Sequence, residues 1–375
     1  LDKKLHILFL SGWYPSRVSP SNGDFVQRHA EAVSTNYKVT LIHVVTDKNI
    51  VHVESTFKVI NNVKTKIIYV PKTKNPLFKF YLFFKTYLNA INSIEDFQLI
   101  HLNIAFPKGI IALYLKWFKK KPYIISEHWS GYQDPQNKSI VFLQKMLTKK
   151  IVKNASFVCP VSKHLQKEMI SFGLKGHYYP IPNVVDTSKF NISEAISKKF
   201  IITHVSGMNN KIKNIDGILN VISKLEGEIP NLEFNLIGNN SNNYLSKIKQ
   251  LNIKNANIIG QISNIEVANY LKNSNLFLLF SNYENLPCVI LEAFACGVPV
   301  VSTNVGGISE YFPENFGYLT TSKNEIELEK AILKIYNHKL NFNKKLMHNY
   351  AENNFGVKTI ANSFSKIYYK TLNDF

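Results

Sequence analysis

The stretch NLFLLFSNYENLPCVILEAFACGVPVVST, residues 275–303, organises the reading of this chain. Its run Leu276–Phe280 is short, bulky and bounded by polar residues, the pattern of a strand buried on both faces. Ser281–Asn285 break the run. Asn285 is placed to cap a following helix, Pro287 falls in that helix's first turn, where its missing N–H costs nothing, and Gly297 with Pro299 supplies the stop. Val298–Ser302 reads as the next strand. Such a strand–helix–strand unit sets Glu284 just ahead of the helix and Glu292 about 12 Å along it, at roughly 1.5 Å per residue. That separation suits the two ends of a nucleotide-sugar. Glu284 can accept hydrogen bonds from sugar hydroxyls and Glu292 from a ribose diol, while the open N–H groups of the helix start favour phosphates between them.

Two acids with seven residues between them say little in a chain with 26 Asp and Glu; their context says more. Glu-Asn-Leu-Pro-(x4)-Glu-Ala-Phe-Ala-Cys-Gly-Val-Pro-Val-Val resembles the signature of the retaining nucleotide-sugar glycosyltransferases of family 4. The resemblance implies an α/β fold of the GT-B type, two Rossmann-like domains facing a central cleft. Residues 1–183 would form an acceptor-binding domain, residues 184–356 a domain binding the nucleotide-sugar donor, and the helix 357–375 would pack back on the first.

Length and composition agree with two domains. The 375 residues are too many for one typical core, and 45% hydrophobic with 19% charged residues is a globular balance. Cys159, Cys288 and Cys296 are odd in number, lack zinc-type spacing and sit in apolar surroundings, so they read as buried thiols of a reducing compartment. No run reaches the 18 apolar residues of a membrane span, and Leu5–Leu10 is shorter than a secretory apolar region. The cytoplasm is expected, with peripheral attachment to the inner membrane face as an open possibility. The net charge of +19 is uneven: Leu1–Asn183 carry 26 Lys and Arg against 10 Asp and Glu. Either a polyanionic partner (nucleic acid, an anionic membrane, a phosphorylated acceptor) or a plain lysine-rich bias explains this.

In chain order, Leu5–Gly12 reads as a first buried strand, followed by the loop Gly12–Asp24 and a helix from about Phe25 to Ser34. Gly23 ahead of that helix would let a ligand approach the backbone, although a plain turn explains it as readily. Lys38–Thr46 is a second strand and Val51–Val70 is extended or hairpin-like. Leu77–Ile94 reads as a helix that is apolar over more than one stripe; a core role is preferred to a membrane-facing one. Leu99–Asn103 and Tyr123–Ser126 are further strands whose loops are expected to carry His101 and Glu127–His128–Trp129. Helices are expected at Ser139–Lys153 and Lys163–Phe172, and strands at Ala155–Val161, Phe200–Val205, Leu232–Gly238 and Asn257–Ile262.

The resemblance assigns roles residue by residue. His128 resembles the family's active-site histidine, with a histidine satisfied by backbone bonds as the alternative. Lys213 matches a phosphate-contacting lysine, Glu284 the sugar-holding acid and Glu292 the ribose acid. Gly23 and Gly207 match glycines of the donor loops, Ile262 closes the base-binding turn, and Asn285, Leu286 and Pro287 belong to the donor motif. Two departures stand out: Met208 follows Gly207 where the family commonly has Arg, and Val184 replaces a junction Gly. Lys211 is a candidate substitute for that Arg, although a point charge does not reproduce a bidentate guanidinium.

The implied reaction moves a hexosyl group from a nucleotide diphosphate sugar to an acceptor hydroxyl with retention, without a metal or other cofactor, in bacterial-type polysaccharide or glycolipid synthesis. The acceptor would be a saccharide or lipid-linked, and an anionic membrane surface is a possible partner. A GT-B epimerase or sugar phosphorylase is the alternative within the architecture. A nucleic-acid-binding protein is the alternative outside it, but no helix-turn-helix, RNP or zinc pattern accompanies the charge, so nucleic acid is not expected as a partner. The missing Gly-x-Gly-x-x-Gly after the first strand argues against a dinucleotide oxidoreductase.

Overall fold

The computed structural model describes residues 4–134, 136–194, 197–338 and 342–375. The chain divides into two compact units: unit 1 comprises the residues up to Val184 together with Lys358–Phe375, and unit 2 comprises Val185–Val357.

Unit 1 is built on β1 (His6–Ser11), β2 (Lys38–Asp47), β3 (Glu54–Ile60), β4 (Val63–Pro71), β5 (Leu99–Asn103), β6 (Tyr123–Glu127) and β7 (Phe157–Pro160), in the order β3-β4-β2-β1-β5-β6-β7. All neighbours are parallel except β3 and β4, which form a hairpin turning at Asn61 and Asn62. Both asparagines have positive φ (44° and 65°), the left-handed conformation that a tight two-residue hairpin requires and Asn tolerates. The central strands β1 and β5 are buried throughout, and they take His6, Ser11, His101 and Asn103 into the interior along with their apolar residues.

Helices α1 (Asp24–Ser34), α2 (Pro76–Asn92), α3 (Gly109–Lys119), α4 (Phe142–Asn154) and α5 (Lys163–Ser171) connect these strands. The start of α2 is fixed by Asn75, whose side chain accepts from Leu77 N and Phe78 N, with Pro76 in the first turn. The preferred core role for this helix holds only for its second half. Thr86, Tyr87, Ala90 and Ile91 are buried, whereas Leu77 is 82% exposed, and Phe78, Phe80 and Tyr81 are about half exposed or more. Periodicity identified the helix but could not say how far its apolar face is covered. His101, expected in a loop, instead lies inside β5, fully buried, with its ring nitrogens 2.7 Å from Ser126 Oγ and 2.6 Å from Tyr368 Oη.

Unit 2 has a second, all-parallel sheet: β8 (Phe200–Val205), β9 (Leu232–Ile237), β10 (Ala256–Ile259), β11 (Leu276–Leu279), β12 (Val300–Thr303) and β13 (Gly317–Thr320), in the order β10-β9-β8-β11-β12-β13. Around it run α6 (Asn210–Lys213), α7 (Ile215–Glu228), α8 (Leu245–Gln250), α9 (Asn264–Lys272), α10 (Cys288–Ala295), α11 (Glu325–His338) and α12 (Lys344–Phe355). Its core joins Leu276, Leu278 and Phe280 to Ile218, Ile222 and Leu225 of α7. Each such side chain contributes about 1.5–3 kcal/mol on burial. The strand expected at Asn257–Ile262 stops at Ile259, which leaves Gly260–Ile262 as a loop ahead of α9. β13 and the single turn α6 went unread, the first because Gly317 and Thr320–Thr321 resemble loop sequence.

The last helix, α13 (Val357–Asn373), packs in unit 1. Phe364 and Tyr368 lie against His101, and Tyr37 stands edge-on to Tyr368.

Candidate active site

In unit 2 the chain runs outward from β8 through β9 to β10, then returns to pair β11 on the other side of β8. Loops leaving the carboxyl ends of β8 and β11 therefore flank a topological switch point, where an open α/β sheet leaves room for a ligand. One loop carries Gly207–Lys213 and the other Ser281–Pro287. They meet through an ion pair: Lys213 Nζ donates to Glu284 Oε1. Ser281 Oγ donates to the same oxygen at 2.7 Å. Both side chains are mostly enclosed, the lysine 20% and the glutamate 10% exposed.

The rest of the two loops is braced. Asn282 N donates to Ile212 O at 2.7 Å and Asn282 Nδ2 to Lys211 O at 3.1 Å, so one residue ties the second loop to the backbone beneath Lys213. Asn210 and Asp216 bond reciprocally across the α6–α7 corner. A third segment closes in from after β12. Gly306, at φ 62°, sits so near that a Cβ there would lie 1.9 Å from Glu284 O, and Gly307 N donates to Asn285 O at 2.7 Å. Only glycine permits that approach.

The donor-motif helix begins later than expected. Asn285 does not cap it; α10 starts at Cys288, with Pro287 in the N-cap position at ψ 123° and no side-chain cap. Pro287 takes extended geometry, and its ring leaves the first free N–H groups to Cys288 and its successors. Leu286 is buried, while Asn285 is half-buried and its carbonyl is held by Gly307. Glu292 lies on α10 and is only 2% exposed. Burial, reinforced by this carboxylate, pushes the Cys296 thiol up to about 12. Cys288, expected buried, is partly exposed.

At Gly207 a Cβ would meet open space. Met208 turns the other way: at φ 55° its side chain enters the core, and its carbonyl accepts from Tyr244 Oη at 3.2 Å. The position where an Arg was expected thus points inward and offers no cation, and Lys211 is exposed. His204 steadies this turn, with Nδ1 2.8 Å from Leu278 O and Nε2 2.8 Å from Ser206 Oγ; burial lowers its pKa to about 4, so it is neutral. Ile262 is half-buried in the loop between β10 and α9.

In unit 1, His128 follows β6. Its ring lies 4.3 Å from Phe25 and 5.2 Å from His29, and burial holds its pKa well below the usual imidazole range while a bond to Asn183 opposes. It is therefore a neutral hydrogen-bonding group at physiological pH. Gly23 is two residues from Phe25, but its glycine requirement comes from the chain itself: at φ 74° a Cβ would lie 2.4 Å from the Trp13 carbonyl carbon. The space read as ligand access is filled by Trp13.

Sequence reasoning missed what holds His128. Glu127 is fully buried, and its carboxylate accepts from four donors: Ala105 N (3.0 Å), His128 N (2.9 Å), Trp129 N (3.0 Å) and Tyr132 Oη (3.0 Å). Burial raises its pKa against the pull of all four. An acid two residues beyond the apolar Tyr123–Ile125 was the available signal. Asn282 gave none, and the adjacent Gly306–Gly307 hinted at a close approach without saying to what. Among the described residues no group of three His, Cys, Asp or Glu is arranged to hold a metal ion.

Comparison with known proteins follows the same division. The family described as Glycosyltransferase Family 4 matches residues 25–189, and that described as Glycosyl transferases group 1 matches residues 185–355. An uncharacterized glycosyltransferase of Methanocaldococcus jannaschii is 27% identical over 257 residues, covering 66% of this chain and 68% of the relative. The putative teichuronic acid biosynthesis glycosyltransferase TuaC of Bacillus subtilis is 27% identical, covering 64% and 61%. One subunit of the human phosphatidylinositol N-acetylglucosaminyltransferase is 26% identical, covering 81% and 63%. Among solved structures, sucrose-phosphate synthase from Thermosynechococcus elongatus superposes with a TM-score of 0.81 at 19% identity, covering 99% of this chain and all of the other. Anabaena HepE in complex with UDP and glucose gives 0.75 at 16%, covering 98% and all of the other.

Proposed function

This chain belongs to the glycosyltransferases of family 4 and group 1 and has the GT-B fold, and on that basis we propose that it transfers a sugar with retention from a nucleotide diphosphate donor to an acceptor hydroxyl in polysaccharide or glycolipid synthesis. The observation that carries this reading is the Lys213–Glu284 pair at the switch point of unit 2. A donor entering there exchanges that internal bond for two of its own. Lys213 meets the diphosphate, where an ammonium in an enclosed site offsets the charge of the leaving group, and Glu284 accepts from the sugar hydroxyls. The free N–H groups at the start of α10 add to phosphate binding, Glu292 takes the ribose diol and Gly260–Ile262 line the base. Neutral His128 positions a hydroxyl of donor or acceptor.

In the proposed step the bond from the anomeric carbon to phosphate oxygen breaks and the acceptor oxygen bonds to that carbon on the same face. The acceptor proton passes to the departing phosphate. The names of the relatives from Bacillus subtilis and human support a polysaccharide or glycolipid acceptor. The basic, aromatic surface of unit 1 supports work at the cytoplasmic face of an anionic membrane, and no described helix is long and apolar enough to cross one.

The test is a screen of UDP-, GDP- and ADP-sugars for protection against heat unfolding, followed by transfer from the protecting donor and proton NMR of the new linkage. An anomeric coupling matching that of the donor is expected. An inverted coupling would overturn retention, and release of free sugar epimer without transfer would replace the transferase reading with the epimerase one.

A further inference from the structure

Unit 1 has its own switch point. β1 pairs with β2 on one side and β5 on the other, and the chain leaves these two central strands at Gly12 and Ile104. Beside them lies a cavity of about 400 Å³ that includes none of the residues assigned above. Phe80, Phe83, Phe84 and Tyr87 of α2 and Ile110 and Ile111 of α3 form its walls, with Lys79 and Lys108 as its charged groups. Lys108 Nζ stands 4.1 Å from the centre of the Phe83 ring and 5.2 Å from that of Tyr87, and Lys79 Nζ is 5.9 Å from Phe83.

No carboxylate lines this cavity. Among the described residues neither lysine has an acidic partner. Aromatic faces stabilise a cation only partly, and a charge held in an apolar wall favours an incoming counter-charge. Burial, with Lys79 nearby, already lowers the Lys108 pKa to about 7. The walls ask for something different from the lysines: an apolar occupant, continuing outward over the exposed Leu77, Phe80 and Tyr81 of α2. A bare phosphate satisfies the lysines alone, and a neutral chain the walls alone.

We infer that this slot takes a lipid phosphate, with an alkyl or prenyl chain along the aromatic face of α2 and the phosphate at Lys108 and Lys79. The inference rests on the transferase reading, because such a lipid is the anchor of a lipid-linked acceptor, and it places that anchor at a named site within unit 1.

Titration of the full chain with dodecyl phosphate below its micelle concentration, followed by calorimetry, tests it, with inorganic phosphate and dodecyl maltoside as controls. Dodecyl phosphate should bind at least tenfold more tightly than either control. Lys108→Met, which keeps a stem of similar length beside Gly12, should lose at least tenfold for dodecyl phosphate and leave the maltoside unchanged. Lys79→Met, at an exposed position, should lose about threefold and serves if the first variant does not fold. Equal binding of phosphate and maltoside amphiphiles, or unchanged binding by both variants, would overturn the proposal. So would adsorption to phosphatidylglycerol vesicles without binding of dodecyl phosphate, which would leave a surface that only rests on a bilayer. Nucleoside diphosphate binding by the same samples reports separately on unit 2: its presence with a failed lipid titration sinks this site alone, and its absence sinks the donor reading.

Discussion

The two units share a wound parallel sheet and a switch point, yet they keep their polar groups in different places. In unit 2 those at the switch point stand beyond the carboxyl ends of the strands: Lys213 and Ser281 both donate to Glu284, and Asn282 donates to the backbone of Ile212 and Lys211. In unit 1 they lie inside strands and helices. His43 is in β2, His101 in β5, Glu127 ends β6 and His29 is on α1, all at or near zero exposure. One topology thus supports a preformed polar site in one copy and a hydrogen-bonded polar core in the other.

The largest expected difference between them is in acid. Burial lowers His29 and His43 to about 4, lowers His6, His101 and His128 as well, and in unit 2 lowers His204. Each takes up its proton at a lower pH folded than unfolded, so between about pH 6.5 and 4 the unfolded chain binds more protons. The stability these groups contribute is complete above about 6.5 and is lost as pH falls through the window, roughly 3 kcal/mol each for His29 and His43. Glu127, raised by burial, acts in the opposite sense but is a single group. Hydrogen exchange at pH 7, 5.5 and 4.5 should show unit 1 losing protection before unit 2; simultaneous loss would break the contrast.

Next in size is a change confined to unit 2. Lys213→Ala should slow turnover by about 2–4 kcal/mol of barrier, the scale of one preorganised transition-state donor, while unit 1 keeps its exchange protection. Unchanged turnover at saturating donor would remove Lys213 from the site. Smallest is a change confined to unit 1. Tyr368→Phe takes away the hydroxyl 2.6 Å from His101 Nδ1 and should cost about 1–2 kcal/mol in urea unfolding, with nucleotide binding intact. A loss of nucleotide affinity of similar size would show that the units are not separable in this way.

What could be read in advance follows from the same contrast. The loop of Glu284 was legible because the donor motif is local in sequence, and Leu276–Phe280 because a short bulky run admits few other structures; the bond from Lys213, 71 residues earlier, to Glu284 was not. Alternation of strands and helices gave both sheets apart from β13. The start of α10 was misread because Pro287 suits either the first turn or the cap, and only the backbone angle decides. Gly306 and Asn282 act on partners 22 and 70 residues away in the chain, by the numbering of Gly306 to Glu284 and Asn282 to Ile212, and no window of sequence reports such a contact. The exposed half of α2 was illegible for a related reason: an apolar face states a preference for burial, not what is there to bury it.

The placement of α13 bears on how the protein is made. Unit 2 is continuous, from Val185 to Val357, whereas unit 1 recruits Lys358–Phe375. On the ribosome the strands of unit 1 emerge first, yet Phe364 and Tyr368, which cover His101 and Tyr37, emerge after the whole of unit 2. The first sheet to be synthesised is therefore the last to receive all of its covering side chains.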